Sequence, residues 1–475
     1  MKESTNKYKY LFKNTAIFAI SSFSTKILSF LLIPVYTAVL TTTEYGIADI
    51  INTTGTLLIY VLTINIADSV LRFSIEKATD SEKILSFGMK VLFIGICVCS
   101  ALLLVACFFR VYEWPTIYYI FILIFFTSSA FYQIITSYLR GIDKVSAVAL
   151  AGIISSIVTI LSNIIFLVVI KFGILGYLIS MVAGPIIASI YCVFAAKREI
   201  KQMFFSKLEK TTKINMLKYC TPLIFNNIAL WINGSLDKYF VTGICGAAVT
   251  GIYSVAGKIP HILDACIIVF CQAWNLSAIK EFDPEDNDRF FSRTYKVYGA
   301  TMTIGCSMII ILNIPLAKFL YSDDFFVAWK YSSILLIATM FNTLTAFIGS
   351  IFSAAKSTRI IATTTVLSAI INTIMNIVLI PQYGALGAAI ATAIAYFAMW
   401  LIRLLYLKKI MTLRYKFLKN IISYILLVLQ VICEYQENHF YIGQVVCVCI
   451  IITMYLPEIK MITEKLLMSL VNRKG

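Results

Sequence analysis

Lys26 lies inside an apolar stretch in company with Ser22, Thr25 and Ser29, and these four positions fall at i, i+3, i+4 and i+7, one face of a helix. The next apolar stretch carries a matching stripe of Asp49, Asn52, Thr53, Thr56, Tyr60 and Thr63. An ammonium near the middle of a hydrophobic helix costs about 3 kcal/mol or more unless it faces water or a bundle interior. The two stripes therefore predict a polar cavity, with Lys26 as a point charge for an anionic group and Asp49 as its complement. The plainer reading is a lysine that snorkels to an interface or neutralises an acid.

Two further constellations hold ionisable groups in apolar surroundings. Asn226, Asn233 and Asp237 share one helical face with Lys238 beside it; they either close one side of a cavity as a gate or mark an interface. Further on, Lys258, His261, Asp264 and Gln272 lie within one apolar stretch that Pro260 is expected to kink. Lys258 and His261 are neighbours at i, i+3. A lysine there suits a phosphate, an aspartate suits a coupling cation or proton, and a histidine titrates near neutral pH or is a hydrogen-bonded structural group. Asp68 and Arg72 are four apart, a spacing that permits an ion pair for gating or, by default, an interfacial structural role. Ser155, Thr159 and Asn163, with Ser368, Asn372 and Asn376, either pack helices or line the cavity.

The elements that must carry these groups are membrane spans. The chain has 475 residues, 60% hydrophobic and 13% charged, a balance that excludes an ordinary soluble domain. Its formal charge of +16 does not indicate nucleic acid, because the basic residues sit in short loops between apolar runs. The 12 cysteines, mostly within those runs, have no ligand-like spacing and read as small hydrophobes, with neither disulfide framework nor metal site. The basic start, Lys2 to Lys13, leads into a full-length span without a cleavable signal.

At about 20 residues per span, the apolar runs lie near 12–38, 46–70, 86–109, 116–138, 146–170, 173–196, 219–243, 247–275, 295–315, 330–352, 360–380, 384–407, 418–434 and 440–457. This predicts an all-α polytopic membrane protein of about fourteen transmembrane helices. With the N-terminus cytoplasmic, alternate loops receive Lys77, Lys83, Arg140, Lys144, the Lys197–Lys218 cluster, Lys280, Arg289, Arg293, Lys356, Arg359, Arg403–Lys419 and the tail. The opposite loops receive only Arg110, Lys171, Lys318 and Lys330, so the positive-inside rule holds and both termini are expected in the cytoplasm.

The chain also repeats itself. Glu44-Tyr45-Gly46-Ile47 echoes Thr250-Gly251-Ile252-Tyr253, and Phe172-Gly173-Ile174-Leu175-Gly176 echoes Tyr383-Gly384-Ala385-Leu386-Gly387. Six spans separate the copies, which predicts parallel repeats about an axis along the membrane normal. The expected divisions are a six-helix lobe at 1–196, a basic cytoplasmic linker at 197–218, a second six-helix lobe at 219–410, and a helix pair with tail at 411–475.

The run Ile33-Pro34-Val35-Tyr36-Thr37, then Thr43-Glu44-Tyr45-Gly46-Ile47-Ala48-Asp49, Leu71-Arg72-Phe73 and Glu76, resembles the start of polysaccharide-biosynthesis flippases. These are Wzx-like repeat-unit translocases of the multidrug/oligosaccharidyl-lipid/polysaccharide exporter superfamily. Asp237-Lys238-Tyr239-Phe240, Gly251-Ile252-Tyr253-Ser254 and Lys258-Ile259-Pro260 are similar in the second half. The resemblance implies two six-helix lobes around a central cavity, alternating access, and an undecaprenyl-pyrophosphate-linked glycan as substrate. It also implies the bacterial cytoplasmic membrane, with a polysaccharide polymerase and chain-length machinery as possible partners. Under it, Lys26, Ser22, Asp49, Asn226, Asn233 and Lys258 are expected to line the substrate cavity. Asp68, Arg72, Asp237, Lys238, His261 and Asp264 are expected to serve gating or coupling to Na+ or H+, with no other cofactor.

No GxxxxGK[ST], HExxH or GxSxG run occurs, and the expected outer loops are short, which disfavours ATP hydrolysis and enzymatic chemistry. Two alternatives remain: a cation-coupled multidrug exporter of the same fold, and a membrane polysaccharide polymerase or glycosyltransferase.

Overall fold

The computed structural model describes residues 30–76, 81–203, 208–436 and 441–461, except for the side chains of 202, 203, 265–269, 272, 273 and 276. Among the described residues the regular structure is entirely helical. The chain packs as two compact units, residues 1–231 and 232–475.

The first unit contains α1 (Ile33–Val39), α2 (Thr42–Leu62), α3 (Ile66–Ile75), α4 (Ser81–Phe108), α5 (Thr116–Gly141), α6 (Val145–Asn163), α7 (Gly173–Ala195) and α8 (Lys197–Met203), with the first part of α9 (Lys210–Cys245). Helix α2 starts at a capping box. The Glu44 amide donates to Thr41 Oγ1 at 3.2 Å, and the Thr41 amide donates to Glu44 Oε2 at 2.9 Å. This gives Glu44 of the Glu-Tyr-Gly-Ile motif its structural job. Expected as one span over 46–70, the second apolar run is instead two helices. Ile64 and Asn65 both take positive φ, 54° and 52°, and stop α2. The break is held from outside: Cys220 Sγ on α9 donates to Asn65 O at 3.6 Å, and Ser69 Oγ donates to Met216 O at 3.3 Å. The core is built by α3, α4 and α5 through Ile66, Val70, Ile84, Leu85, Phe126, Ile134, Tyr138 and Leu139.

The second unit contains the rest of α9, then α10 (Ala247–Ala256), α11 (Pro260–Lys280), α12 (Phe290–Ile311), α13 (Asn313–Leu320), a 3-10 turn at Asp323–Ala328, α14 (Trp329–Ala354), α15 (Thr358–Tyr383), α16 (Ala385–Leu407), α17 (Phe417–Tyr435) and α18 (Tyr441–Met454). The kink expected at Pro260 is a full break: α10 ends at Ala256 and Pro260 opens α11 at its first turn, where a missing amide hydrogen costs nothing. Helix α14 is the most buried span, and Trp274 on α11 stacks on its Phe347 with centroids 4.2 Å apart.

Nine helices among the described residues are long and apolar enough to cross a membrane, or ten with the bent pair α12–α13 counted as one span. The difference from the fourteen apolar runs has identifiable causes. The first run falls mainly outside the described residues, and α18 is 14 residues long. Runs seven and eight drop out because α9, α10 and α11 are polar or broken. Those helices and the break between them carry Asn226, Asn233, Asp237, Lys238, Lys258, His261 and Asp264. With these included, the chain is an all-α polytopic membrane protein of about fourteen spans.

The repeated Gly-rich turns have one geometry in both units. Gly173 and Gly384 stand at the head of α7 and α16 with φ of +56° and +57°, a region open to glycine at little cost. Three residues on, a Cβ at Gly176 would lie 2.8 Å from Phe166 O, and one at Gly387 would lie 2.3 Å from Leu379 O. The helix starts thus pack directly on the backbone of the preceding helix. At Phe166 that backbone is a π-helical turn, Ile164–Val169.

Candidate functional site

Asn233 and Asp237, one turn apart on α9, are buried at 2% and 4% exposure in the second unit. Facing them, α15 presents Thr365, Ser368, Asn372 and Asn376, a stripe at helical spacing that is buried throughout. Asn233 is held at both ends of its amide: Nδ2 donates to Thr365 O at 3.2 Å and Oδ1 accepts from Ser368 Oγ at 2.9 Å. Asp237 Oδ1 accepts the Lys238 amide at 2.9 Å, while Oδ2 accepts the Tyr253 hydroxyl of α10 at 2.5 Å and Thr392 Oγ1 of α16 at 3.4 Å. The chain of bonds continues outward, with Asn372 Nδ2 donating to Thr392 Oγ1 at 3.4 Å and Asn376 Nδ2 donating to Asn372 Oδ1 at 2.9 Å. It ends on Asn376 Oδ1, a buried acceptor with no hydrogen-bond partner.

Four helices therefore converge a carboxylate, three carboxamides and three hydroxyls in an apolar surrounding. The surrounding is supplied by Val241, Ile380, Ala385, Ala388 and Ala389. Hard oxygen ligands of this kind suit a small cation, and a carboxyl so placed also suits a proton. An orphaned buried acceptor costs about 1–3 kcal/mol, a deficit that a cation or a water beside Asn376 removes.

The other residues singled out from sequence distribute as follows. Ser22 and Lys26 lie outside the described residues. In the first unit, Asp49 is half-buried on α2 and Asn226 half-buried on α9. Asp68 Oδ2 accepts from Asn65 Nδ2 at 2.5 Å, and Arg72 pairs with Glu76 at 3.3 Å on an exposed face, so the Asp68–Arg72 spacing is not used for a pair here. In the second unit, Lys238 is half-buried next to Asp237, and Lys258 stands in the break between α10 and α11. His261 Nδ1 lies 3.0 Å from Asp264 Oδ2 on the first turn of α11, and the two partner each other. The two polar stripes left undivided by sequence now separate. Ser155 and Thr159 pack α6 on Gly184 of α7, where a Cβ would meet Thr159 Oγ1 at 2.2 Å, whereas Ser368, Asn372 and Asn376 join the Asp237 network.

Three members of that network, Tyr253, Thr365 and Thr392, carry no site signal in the sequence; Tyr253 stands there only within the repeat and family-like motifs. Arg403 was counted among loop charges, yet it is 5% exposed within α16. Its guanidinium donates to Thr364 Oγ1, Thr345 O, Ile361 O and Thr365 Oγ1 at 2.9–3.2 Å. At the other motif, Tyr36, Tyr45 and Tyr177 meet in the first unit, with Tyr177 4.9 Å from Tyr36 and 5.9 Å from Tyr45 between centroids. The Pro-Val-Tyr and Glu-Tyr-Gly motifs are thereby joined to the head of α7.

The fold is that of a polytopic α-helical membrane protein. It is similar to a lipid II flippase MurJ in an inward closed conformation, with TM-score 0.68 and 18% identity over 95% of this chain and 100% of that one. It is also similar to an inward-facing multidrug resistance MATE family transporter of the MOP superfamily, with TM-score 0.68 and 13% identity over 82% and 97%. Residues 11–275 match the model of the family described as polysaccharide biosynthesis protein, more than half of the chain, and the chain belongs to that family. Two uncharacterized membrane proteins of Methanocaldococcus jannaschii are relatives. One is 21% identical over 56% of this chain and 65% of its own length, the other 28% identical over 38% and 37%. The chain thus spans less than two thirds of the length of either.

Proposed function

We propose that the protein is a flippase that carries undecaprenyl-pyrophosphate-linked oligosaccharide repeat units across the bacterial cytoplasmic membrane by alternating access. The product side is the assembly of a surface polysaccharide such as O-antigen, capsule or exopolysaccharide, with a polymerase and chain-length machinery downstream. Membership of the polysaccharide biosynthesis family supports the substrate class. Lys26, on its polar stripe, supplies the charge that holds the pyrophosphate, and both termini face the cytoplasm.

The observation that carries the mechanism is the buried Asp237 carboxylate at the meeting of α9, α10, α15 and α16. A carboxylate in that setting is costly when ionised and is relieved by a bound Na+ or proton. Such a cation drives transport only by binding one conformation better than the other. Helices α10 and α16 change their bonds to Asp237 when Oδ2 is taken by a cation, so those two helices are where the preference arises. A drug-exporter reading draws on the MATE fold likeness alone.

The test is surface-polysaccharide display in a deletion strain complemented with wild type, Lys26→Ala or Asp237→Asn at equal membrane abundance. Wild type is expected to restore display and each variant to fail. Full rescue by Asp237→Asn removes the cation site, full rescue by Lys26→Ala removes the phosphate contact, and no rescue by wild type removes the flippase reading. Restored drug resistance in place of display selects the exporter.

A further inference from the structure

Helix α17 is tied to the rest of the second unit by two polar side chains one turn apart, and they differ in kind. Gln430 makes a reciprocal pair with Ser307 of α12: its Oε1 accepts from Ser307 Oγ at 2.7 Å and its Nε2 donates to Ser307 O at 2.8 Å. Glu434, at 0% exposure, meets Asn313 at the head of α13 and Ser333 on α14. Asn313 Nδ2 lies 2.8 Å from Glu434 Oε1, and Ser333 Oγ donates to Glu434 Oε2 at 2.5 Å. A neutral amide serves at 430, so a tie as such does not call for a carboxyl four residues later. Burying an ionisable group carries a cost that an amide avoids.

The hydrogen count at Glu434 points the same way. Asn313 Nδ2 stands within 2.8–2.9 Å of three oxygens: Glu434 Oε1, Ser333 Oγ and Trp329 O. With the Ser333–Glu434 contact, four short contacts share three hydrogens, two on the amide and one on the hydroxyl. Asn313 itself is 0% exposed, and its Oδ1 has no hydrogen-bond partner. We propose that Glu434 is a proton-binding site of this transporter, distinct from the Asp237 network, with Asn313 and Ser333 as hydrogen-bond partners in both protonation states. Ionised, the carboxylate accepts from Asn313 Nδ2 and Ser333 Oγ, as in the structure. A proton taken from water onto Oε1 turns that oxygen into a donor, and the Asn313 amide turns over so that Oδ1 accepts it. The orphaned oxygen then gains its partner, and Nδ2 leaves Trp329 O. Proton uptake thus rewires the joint between α17, α13 and the start of α14, while the Gln430–Ser307 tie holds.

Other titratable groups at the same ends are Lys318 on α13, Asp323 and Asp324 on the 3-10 turn, Lys330 and Tyr331 on α14, Tyr435 on α17 and Tyr441 on α18. Tyr435 donates to Lys330 O, and Lys330 Nζ lies 5.9 Å from the Trp329 ring centroid. Single substitutions at 434 or 333 leave these groups in place. The role in transport rests on the flippase reading; proton binding itself does not.

The experiment is infrared difference spectroscopy of the purified full chain in lipid nanodiscs between alkaline and acid pH, with no substrate. Wild type is expected to show a protonated-carboxyl C=O band that grows as the pH falls. Glu434→Gln should lose that band and Asp237→Asn should keep it. Ser333→Ala, which retains the carboxyl, should move it to higher frequency because the carbonyl has lost a hydrogen-bond partner. A full wild-type band in Glu434→Gln, or an unshifted one in Ser333→Ala, overturns the proposal. A lost band together with normal display in the Asp237→Asn strain would fault the transport reading and leave the proton site standing.

Discussion

The Tyr253 hydroxyl donates to Asp237 Oδ2 across 2.5 Å, joining the Thr-Gly-Ile-Tyr and Asp-Lys-Tyr-Phe segments of the second unit at a single buried carboxylate. Tyr253→Phe leaves that oxygen with Thr392 at 3.4 Å, and an under-solvated buried acceptor costs about 1–3 kcal/mol. The variant is expected to melt below wild type in detergent. Adding the coupling cation should recover much of the loss, since a ligand at a hundredfold its Kd stabilises by about 2.7 kcal/mol. Asp237→Asn should abolish the response of melting to Na+. An unaltered response in that variant would place the cation elsewhere.

The Gly-rich turns make an ordered prediction. At Gly387→Ala the new Cβ meets backbone at 2.3 Å, at Gly176→Ala at 2.8 Å, and at Gly234→Ala nothing within 4 Å. Backbone cannot swing aside as a side-chain end can, so Gly387→Ala is expected to lose roughly 3 kcal/mol and Gly176→Ala somewhat less. Gly234→Ala, in the middle of α9, should gain up to about 1 kcal/mol from helix propensity. Melting temperatures measured together on the three variants check the order.

These glycines also mark what the sequence made legible. A repeated GxxG between apolar runs pointed to duplicated turns, and both copies take the same positive φ and the same close approach. Periodicity placed Ser368, Asn372 and Asn376 on one face, because that pattern is local to one helix. It did not reach Tyr253 or Thr392, whose meeting with Asp237 depends on how α10 and α16 pack. Hydropathy failed in a telling way at Ile64 and Asn65, where two left-handed residues split a run that reads as continuous. It failed again at Arg403, read as a loop charge and found inside a helix. The Asn313–Glu434 joint links residues 121 positions apart, a separation no local pattern spans.

Arg403 gives a test of buried-charge geometry. Its fork bridges α14 and α15 through four acceptors, and Gly349 makes room for it, a Cβ there lying 3.0 Å from Nη1. A lysine has one nitrogen and cannot reproduce the four contacts that three guanidinium nitrogens make. Arg403→Lys is therefore expected to destabilise the protein by at least about 2 kcal/mol, the cost of buried acceptors left without donors. Equal melting of Arg403→Lys and wild type would show that the bonds contribute little.

Lys144 and Glu199 make a pH-dependent tie outside the spans, between the head of α6 and α8. Lys144 Nζ lies 2.6 Å from Glu199 Oε1 and also donates to Ala195 O at 3.0 Å. Burial acts to raise the Glu199 carboxyl, but the Lys144 hydrogen bond and the charges of Lys144 and Arg198 outweigh it, and the group is held below its ordinary range. A carboxyl lowered by folding stabilises the protein above its unfolded-state value, and that contribution fades as the pH falls through the lower folded-state value. Wild type should therefore lose melting temperature in the acid range faster than Glu199→Gln, with the two slopes converging at neutral pH. The pair is partly exposed, so salt should reduce the difference. Parallel acid slopes at low salt would show that the Lys144 contact does not govern Glu199.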